Sequence, residues 1–243
     1  MNEIVLSTSD HILLFIMGVV LPLFAVFQSQ PQIKEMEFST SEKLQIYYGN
    51  SIFQWIGTAA IIALWWINSR YYTDLGFGLP KMNRLAWGLT LLSIVLYVLN
   101  TWWELRTKEK VQQTKEKWEK DIPFLPANWP EYKHFLFVAF TAGVCEEIIF
   151  RGFFIQYFLA WNQDNLIGSW LSILIPGFLF AFGHIYQGHQ AVIKIMLMAI
   201  IFGWIFIITG SLWIPIILHI LVDAVSGYFA MRILGKQELG GEA

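Results

Sequence analysis

Six ionisable side chains in the second half of the chain lie inside hydrophobic runs. The first run reads Gly143-Val144-Cys145-Glu146-Glu147-Ile148-Ile149-Phe150-Arg151-Gly152, the second ends Phe180-Ala181-Phe182-Gly183-His184, and the third contains His219-Ile220-Leu221-Val222-Asp223. A charged group at the centre of a membrane helix costs about 3 kcal/mol on insertion scales, so each of the six marks a candidate functional site. Successive helical residues point about 100° apart, so Glu146 and Glu147 take different directions, whereas Glu147 and Arg151, at i,i+4, can pair. That pairing neutralises one carboxylate and leaves Glu146 on another face, where a desolvated carboxylate is a stronger base than an exposed one. His219 and Asp223 are i,i+4 neighbours too. These polar groups on three helices are best satisfied by one another and by water, which amounts to a buried hydrophilic cavity. In such a cavity a carboxylate beside an imidazole activates water for attack on a carbonyl, and further donors stabilise the oxyanion.

Structural readings stand beside the chemical one. Glu147 with Arg151 can be a buried ion pair and nothing more, and His219 with Asp223 an interhelical hydrogen-bond element. That all six are only structural is disfavoured, because each alone is unfavourable in lipid. His11 and His134 fall at expected interfaces and His189 in a loop, which sets them apart from the chemistry. Lys194 is placed to snorkel, and Ala139 with Gly143 forms a small-xxx-small pair suited to close helix packing. Two His and a Glu also match a catalytic zinc site with an open position. Against zinc, the chain has no H-E-x-x-H and the candidate ligands sit on different helices.

The elements that must position these groups are membrane helices. Hydrophobic residues make up 56% of the 243 residues and charged residues 14%, with a mean hydropathy of +0.52, which excludes a water-soluble monomer. Twelve Trp and nine Tyr suit the two interfaces of a bilayer. A net charge of -2 gives no sign of a nucleic-acid partner, and the single Cys145 allows no intramolecular disulfide. The fold class expected is all-α, a polytopic bundle of seven spans, with six or eight as the margins, over residues 11–27, 51–67, 85–103, 132–160, 166–184, 191–209 and 212–233.

The amino terminus carries Glu3 and Asp10 in place of a basic signal region, so no cleavage is expected. Lys34, Lys43, the basic residues from Arg106 to Lys133, Arg232 and Lys236 fall on one side of this topology; Arg70, Lys81 and Arg84 fall on the other. The positive-inside rule then places the amino terminus outside and the carboxyl terminus in the cytoplasm. Glu104 to Asp121 is the one strongly polar segment and reads as a solvated helix, with Glu104–Lys108 and Glu116–Lys120 as i,i+4 pairs. Pro123, Pro126 and Pro130 follow it and suggest a boundary between residues 1–130, amino-terminal spans plus a charged cytoplasmic helix, and residues 131–243, a catalytic membrane core.

The ordered set Glu146-Glu147-x-x-x-Arg151, Phe180-x-x-x-His184 and His219-x-x-x-Asp223 resembles the CPBP (Abi) family of intramembrane proteases, the CAAX prenyl endopeptidases and bacterial relatives linked to bacteriocin processing and self-immunity. The resemblance covers residues 131 to 232. It implies that Glu146, with His184, binds and activates the hydrolytic water, that Glu147 and Arg151 orient the site, and that His219 and residue 223 form the oxyanion site. Asp223 stands where the prenyl endopeptidases carry Asn. An ionised Asp would repel an oxyanion, so it is either neutral or acts by orienting His219.

The resemblance further implies a metal-independent glutamic endopeptidase without cofactor, with zinc as the alternative. Its partners would be membrane lipid and a peptide or protein substrate, lipidated or not, at the cytoplasmic face of a bacterial membrane. Two other classes compete: a non-proteolytic scaffold or immunity protein acting by binding, and a proton-coupled transporter, disfavoured by the lack of an inverted repeat.

Overall fold

The computed structural model describes residues 4–20, 22–23, 38–162 and 166–235. Helix α1, Thr8–Phe15, continues as a π turn, Ile16–Val20. Then come α2 (Thr40–Ile67), α3 (Arg84–Leu105), α4 (Lys108–Asp121) and α5 (Trp129–Glu146). Helix α5 runs without interruption into a π segment, Glu147–Ile155, and α6, Gln156–Asn162. Helix α7 (Leu166–Gly183), a 3-10 turn (Ile185–Gln187), α8 (His189–Thr209) and α9 (Trp213–Leu234) complete the chain. Starts are fixed by side-chain caps: Asn83, Thr107 and Asn128 accept from the backbone N–H of Ala86, Lys110 and Glu131. Gly210, at φ 65°, ends α8 in the left-handed conformation that glycine adopts without strain.

Helices α2, α3, α7, α8 and α9 are long and apolar enough to cross a membrane. Their outward faces are apolar, as at Ile52, Phe53, Leu91, Val98, Ile193 and Ile217, which suits lipid as the surrounding solvent. The chain is therefore a polytopic helical bundle. The expected spans 85–103, 166–184, 191–209 and 212–233 coincide with α3, α7, α8 and α9 to within two residues. Of the other three expected spans, 51–67 falls within α2, 132–160 within the helical stretch from Trp129 to Asn162, which carries the charged residues, and 11–27 begins on the shorter Thr8–Val20; residues 21 and 24–27 of that span lie outside the described residues.

Two expectations need correction. Helix α2 begins at Thr40 rather than residue 51, because Lys43, which looks like a loop residue, is buried with its ammonium on Glu131 (3.0 Å) and on the Leu125 carbonyl (2.9 Å). The pair Glu104–Lys108 does not share a helix, because the chain breaks between Leu105 and Lys108. Glu104 pairs instead with Lys194 of α8. On α4 the i,i+4 ion pair is Lys115–Glu119 (3.8 Å), while Glu116 accepts from Gln112 (2.8 Å).

The bundle has two polar ends. At one, Arg70 grips Asp10 (2.6 and 2.7 Å) and stacks over Trp65. At the other, Lys43 meets Glu131, Tyr47 donates to the Phe124 carbonyl (2.7 Å), and Arg106 lies 3.6 Å over Trp103. Exposed tryptophans band both ends, Trp66, Trp161 and Trp213 at the first and Trp102, Trp103 and Trp129 at the second, as at a bilayer's interfaces. The core gathers around the π segment, where Ile148, Phe153, Phe154 and Ile155 pack on Ile61 and Trp65 of α2, Ile173 of α7 and Phe206 of α8.

Helices α5 and α9 approach backbone to backbone, as the small pair Ala139 and Gly143 suggests. A Cβ on Gly143 would lie 2.9 Å from the Ile220 nitrogen and 3.3 Å from the Ile216 carbonyl oxygen. Gly143→Val is therefore expected to lose about 1–3 kcal/mol through overpacking, read as a lower melting temperature in detergent. An unchanged melting temperature would contradict this packing.

Candidate active site

Glu146 ends α5, Glu147 opens the π segment, and Arg151 lies within it. π turns recur at functional sites because the i→i+5 bond alters the directions of neighbouring side chains. The expected pair forms: Arg151 donates to Glu147 Oε1 at 2.9 Å, with both side chains buried at 3% and 0% exposure. The Arg151 guanidinium also lies over the rings of Phe180 (4.9 Å) and Phe202 (5.7 Å), so aromatic faces share its charge. Close contact of α5 with α9 then brings His219 onto the same carboxylate, its Nδ1 2.7 Å from Glu147 Oε1. A carboxylate partner assigns the Nδ1 proton to that bond. The other nitrogen, Nε2, faces Glu146 Oε2 at 3.8 Å and Asp223 Oδ2 at 3.6 Å.

His184 follows the last residue of α7, and its Nδ1 lies 2.7 Å from the Phe180 carbonyl. A carbonyl only accepts, so Nδ1 carries the proton and Nε2 keeps its lone pair for water or substrate. The ring sits 4.7 Å from that of Phe180, which in turn meets His219 edge-on at 6.1 Å. The structure thus brings Glu146, Glu147, Arg151, His219 and Asp223 together, with His184 across the Phe180 ring from His219. The orienting bond expected between Asp223 and His219 is made by Glu147 instead, at the shorter distance.

Two further residues join them. Gln54 of α2 donates its Nε2–H to Glu146 Oε1 at 2.9 Å. Tyr186, in the 3-10 turn, stacks on His184 with centroids 6.2 Å apart. Burial, together with the charges of Glu146 and Asp223, pushes its phenol up to about 12, with the Gln187 amide opposing. That phenol stays neutral, and because Gln187 donates to its oxygen (3.1 Å), its own proton is left to donate. Neither residue carries a full charge, so the search for ionisable groups in apolar runs passes over both. A polar stripe on α2, Lys43, Tyr47, Ser51, Gln54 and Thr58 at helical spacing, was the signal for Gln54.

His11 bonds Tyr157 (2.5 Å) and His134 bonds Tyr48 (2.7 Å), both with partners other than the cluster. Among the described residues, no three His, Cys, Asp or Glu side chains are arranged to hold a metal ion. The cluster offers one carboxylate, Glu146, with an oxygen facing open polar groups, an imidazole nitrogen free to bind water, and N–H and O–H donors nearby. This is a constellation for general-base hydrolysis.

Comparison with curated proteins and with solved structures finds no match. A family model does match part of the chain, and it falls on the segment that holds all six of the clustered ionisable residues. Residues 128–225 match the model described as type II CAAX prenyl endopeptidase Rce1-like, a membrane protease family consistent with the CPBP resemblance.

Proposed function

We propose that this integral membrane protein is an intramembrane endopeptidase that cuts a membrane-associated peptide or protein, prenylated or not. The observation that carries the reading is the arrangement around Glu146. Its Oε1 is held by Gln54, and its Oε2 faces His219 within the matched segment. Water held between Glu146 and His184 Nε2 gives a proton to Glu146 as its oxygen bonds to the scissile carbonyl carbon. The carbonyl oxygen becomes the oxyanion and takes donors from His219 Nε2–H, when the ring is an imidazolium, and from Tyr186. Collapse breaks the C–N bond, and the departing amine takes the proton from Glu146, which restores the carboxylate. Asp223 faces the His219 nitrogen that donates, so it acts through that ring.

The basic residues Arg106, Lys108, Lys110, Lys115, Lys117, Lys120 and Lys133 gather at the Lys43 end, which supports a cytoplasmic placement of that end. The amino terminus then lies outside. Glu146 is fifteen residues beyond Glu131, about 22 Å along the helix, while His184 lies just past the Lys43 end of α7; the two share one depth where the helix of Glu146 begins in the cytosol or is tilted. Water therefore reaches the site from the cytoplasmic face.

The test is hydrolysis of a peptide library, with prenylated members, by detergent-purified protein, read by mass spectrometry for wild type and His184→Ala, each with and without a strong chelator. Cleavage is expected to fall by roughly 10²- to 10⁴-fold in His184→Ala and to be indifferent to chelation. Loss on chelation that zinc restores would move the chemistry to a metalloprotease. A wild type that cuts no member of the library would favour a protein that works by binding a partner.

A further inference from the structure

The family match begins at residue 128, yet one hydrogen bond on the proposed base comes from well before it. Gln54 lies near the middle of α2, a membrane-spanning helix, and its amide is aimed at Glu146 Oε1. The bond assigns the amide: a carboxylate oxygen accepts, so Nε2 faces Glu146 and Oε1 faces away from it. That Oε1 is buried and finds no partner among the described residues. An unpaired amide carbonyl in a membrane helix is unfavourable, and a Met or Leu of similar size would avoid it. A polar side chain held there at such a disadvantage points to what its other end does.

We propose that Gln54 is a positioning residue for the reaction. It fixes Glu146 by holding Oε1, so that Oε2 is the oxygen turned toward His219 and free to take the proton from water. The amino-terminal half of the chain thereby completes the site of the matched domain. The proposal rests on Glu146 being the base.

Simple adhesion between α2 and α5 is the competing role, and the structure supplies its control. Trp55, the next residue, donates its indole N–H to Thr141 Oγ1 of α5 at 3.2 Å and lies apart from the cluster. The experiment compares wild type, Glu146→Ala, Gln54→Met and Trp55→Phe for kcat, KM and melting temperature on the peptide that wild type cuts best. Gln54→Met is expected to lose roughly 10- to 100-fold in kcat, with KM and melting temperature near wild type, as befits a mispositioned group. Trp55→Phe is expected to melt lower with kcat within about twofold of wild type. Gln54→Glu, which keeps size and an acceptor but sets carboxylate against carboxylate, is expected to lose as much as Gln54→Met.

Two results overturn the inference alone: a Gln54→Met kcat within about twofold of wild type while Glu146→Ala is dead, or a Gln54→Met that resembles Trp55→Phe in both readouts. An inactive wild type, or a Glu146→Ala that still cuts, instead overturns the proposed function and takes this inference with it.

Discussion

Glu146→Gln is expected to abolish peptide hydrolysis, by about 10²–10⁴-fold or more, without unfolding the protein. The substitution keeps the side chain's length and still presents an oxygen to the Gln54 amide, so the hydrogen bond between α2 and α5 survives. What it removes is the only property that water activation needs, a lone pair basic enough to take a proton. Stability is expected to hold because that bond is kept and the Glu146 side chain, 14% exposed, is in no ion pair as close as those that lock Glu147 in place. Single-turnover rates and a melting curve on the same preparation check both halves. A rate within tenfold of wild type would show that the base lies elsewhere.

The adjacent carboxylate should behave in the opposite way. Arg151→Leu leaves the fully buried Glu147 without its guanidinium, and breaking a buried pair by removing one partner costs about 3–5 kcal/mol. A large fall in melting temperature is expected, together with loss of activity. The double variant Glu147→Leu/Arg151→Leu separates the two effects, because replacing a buried pair with apolar residues of similar volume is often neutral or stabilising. It is expected to recover most of the stability and none of the activity, since His219 then has no acceptor for its Nδ1 proton and loses its orientation. Recovery of both would make the pair a structural element alone.

Much of this architecture was legible in the residues because lipid enforces long apolar runs. α3, α7, α8 and α9 show themselves by length alone, and the ionisable groups within such runs include every charged member of the cluster. What stayed hidden had a physical cause in each case. The first turns of α2 read as loop because Lys43 is charged, and only the tertiary fold supplies Glu131 to neutralise it. His219 was paired with Asp223 by helical spacing, yet Glu147, far away in sequence, lies closer, and no local rule reports an interhelical distance. Gln54 and Tyr186 are neutral, so nothing in a charge-based search marks them.

The π segment has a consequence for how the long helix from Trp129 to Asn162 can change over time. Its wider turn resets the rotational phase of everything after Ile155 relative to everything before Glu147. On one side of that reset stands Glu146 with its partners; on the other, Tyr157 bonds His11. Losing one residue between 147 and 155 would turn the two halves against each other by about 100°, so one set of partners could be kept only by surrendering the other. The segment is thus a stretch where substitutions can be absorbed but insertions and deletions cannot. The length of this helix is pinned from within, by the two sets of contacts it must serve at once.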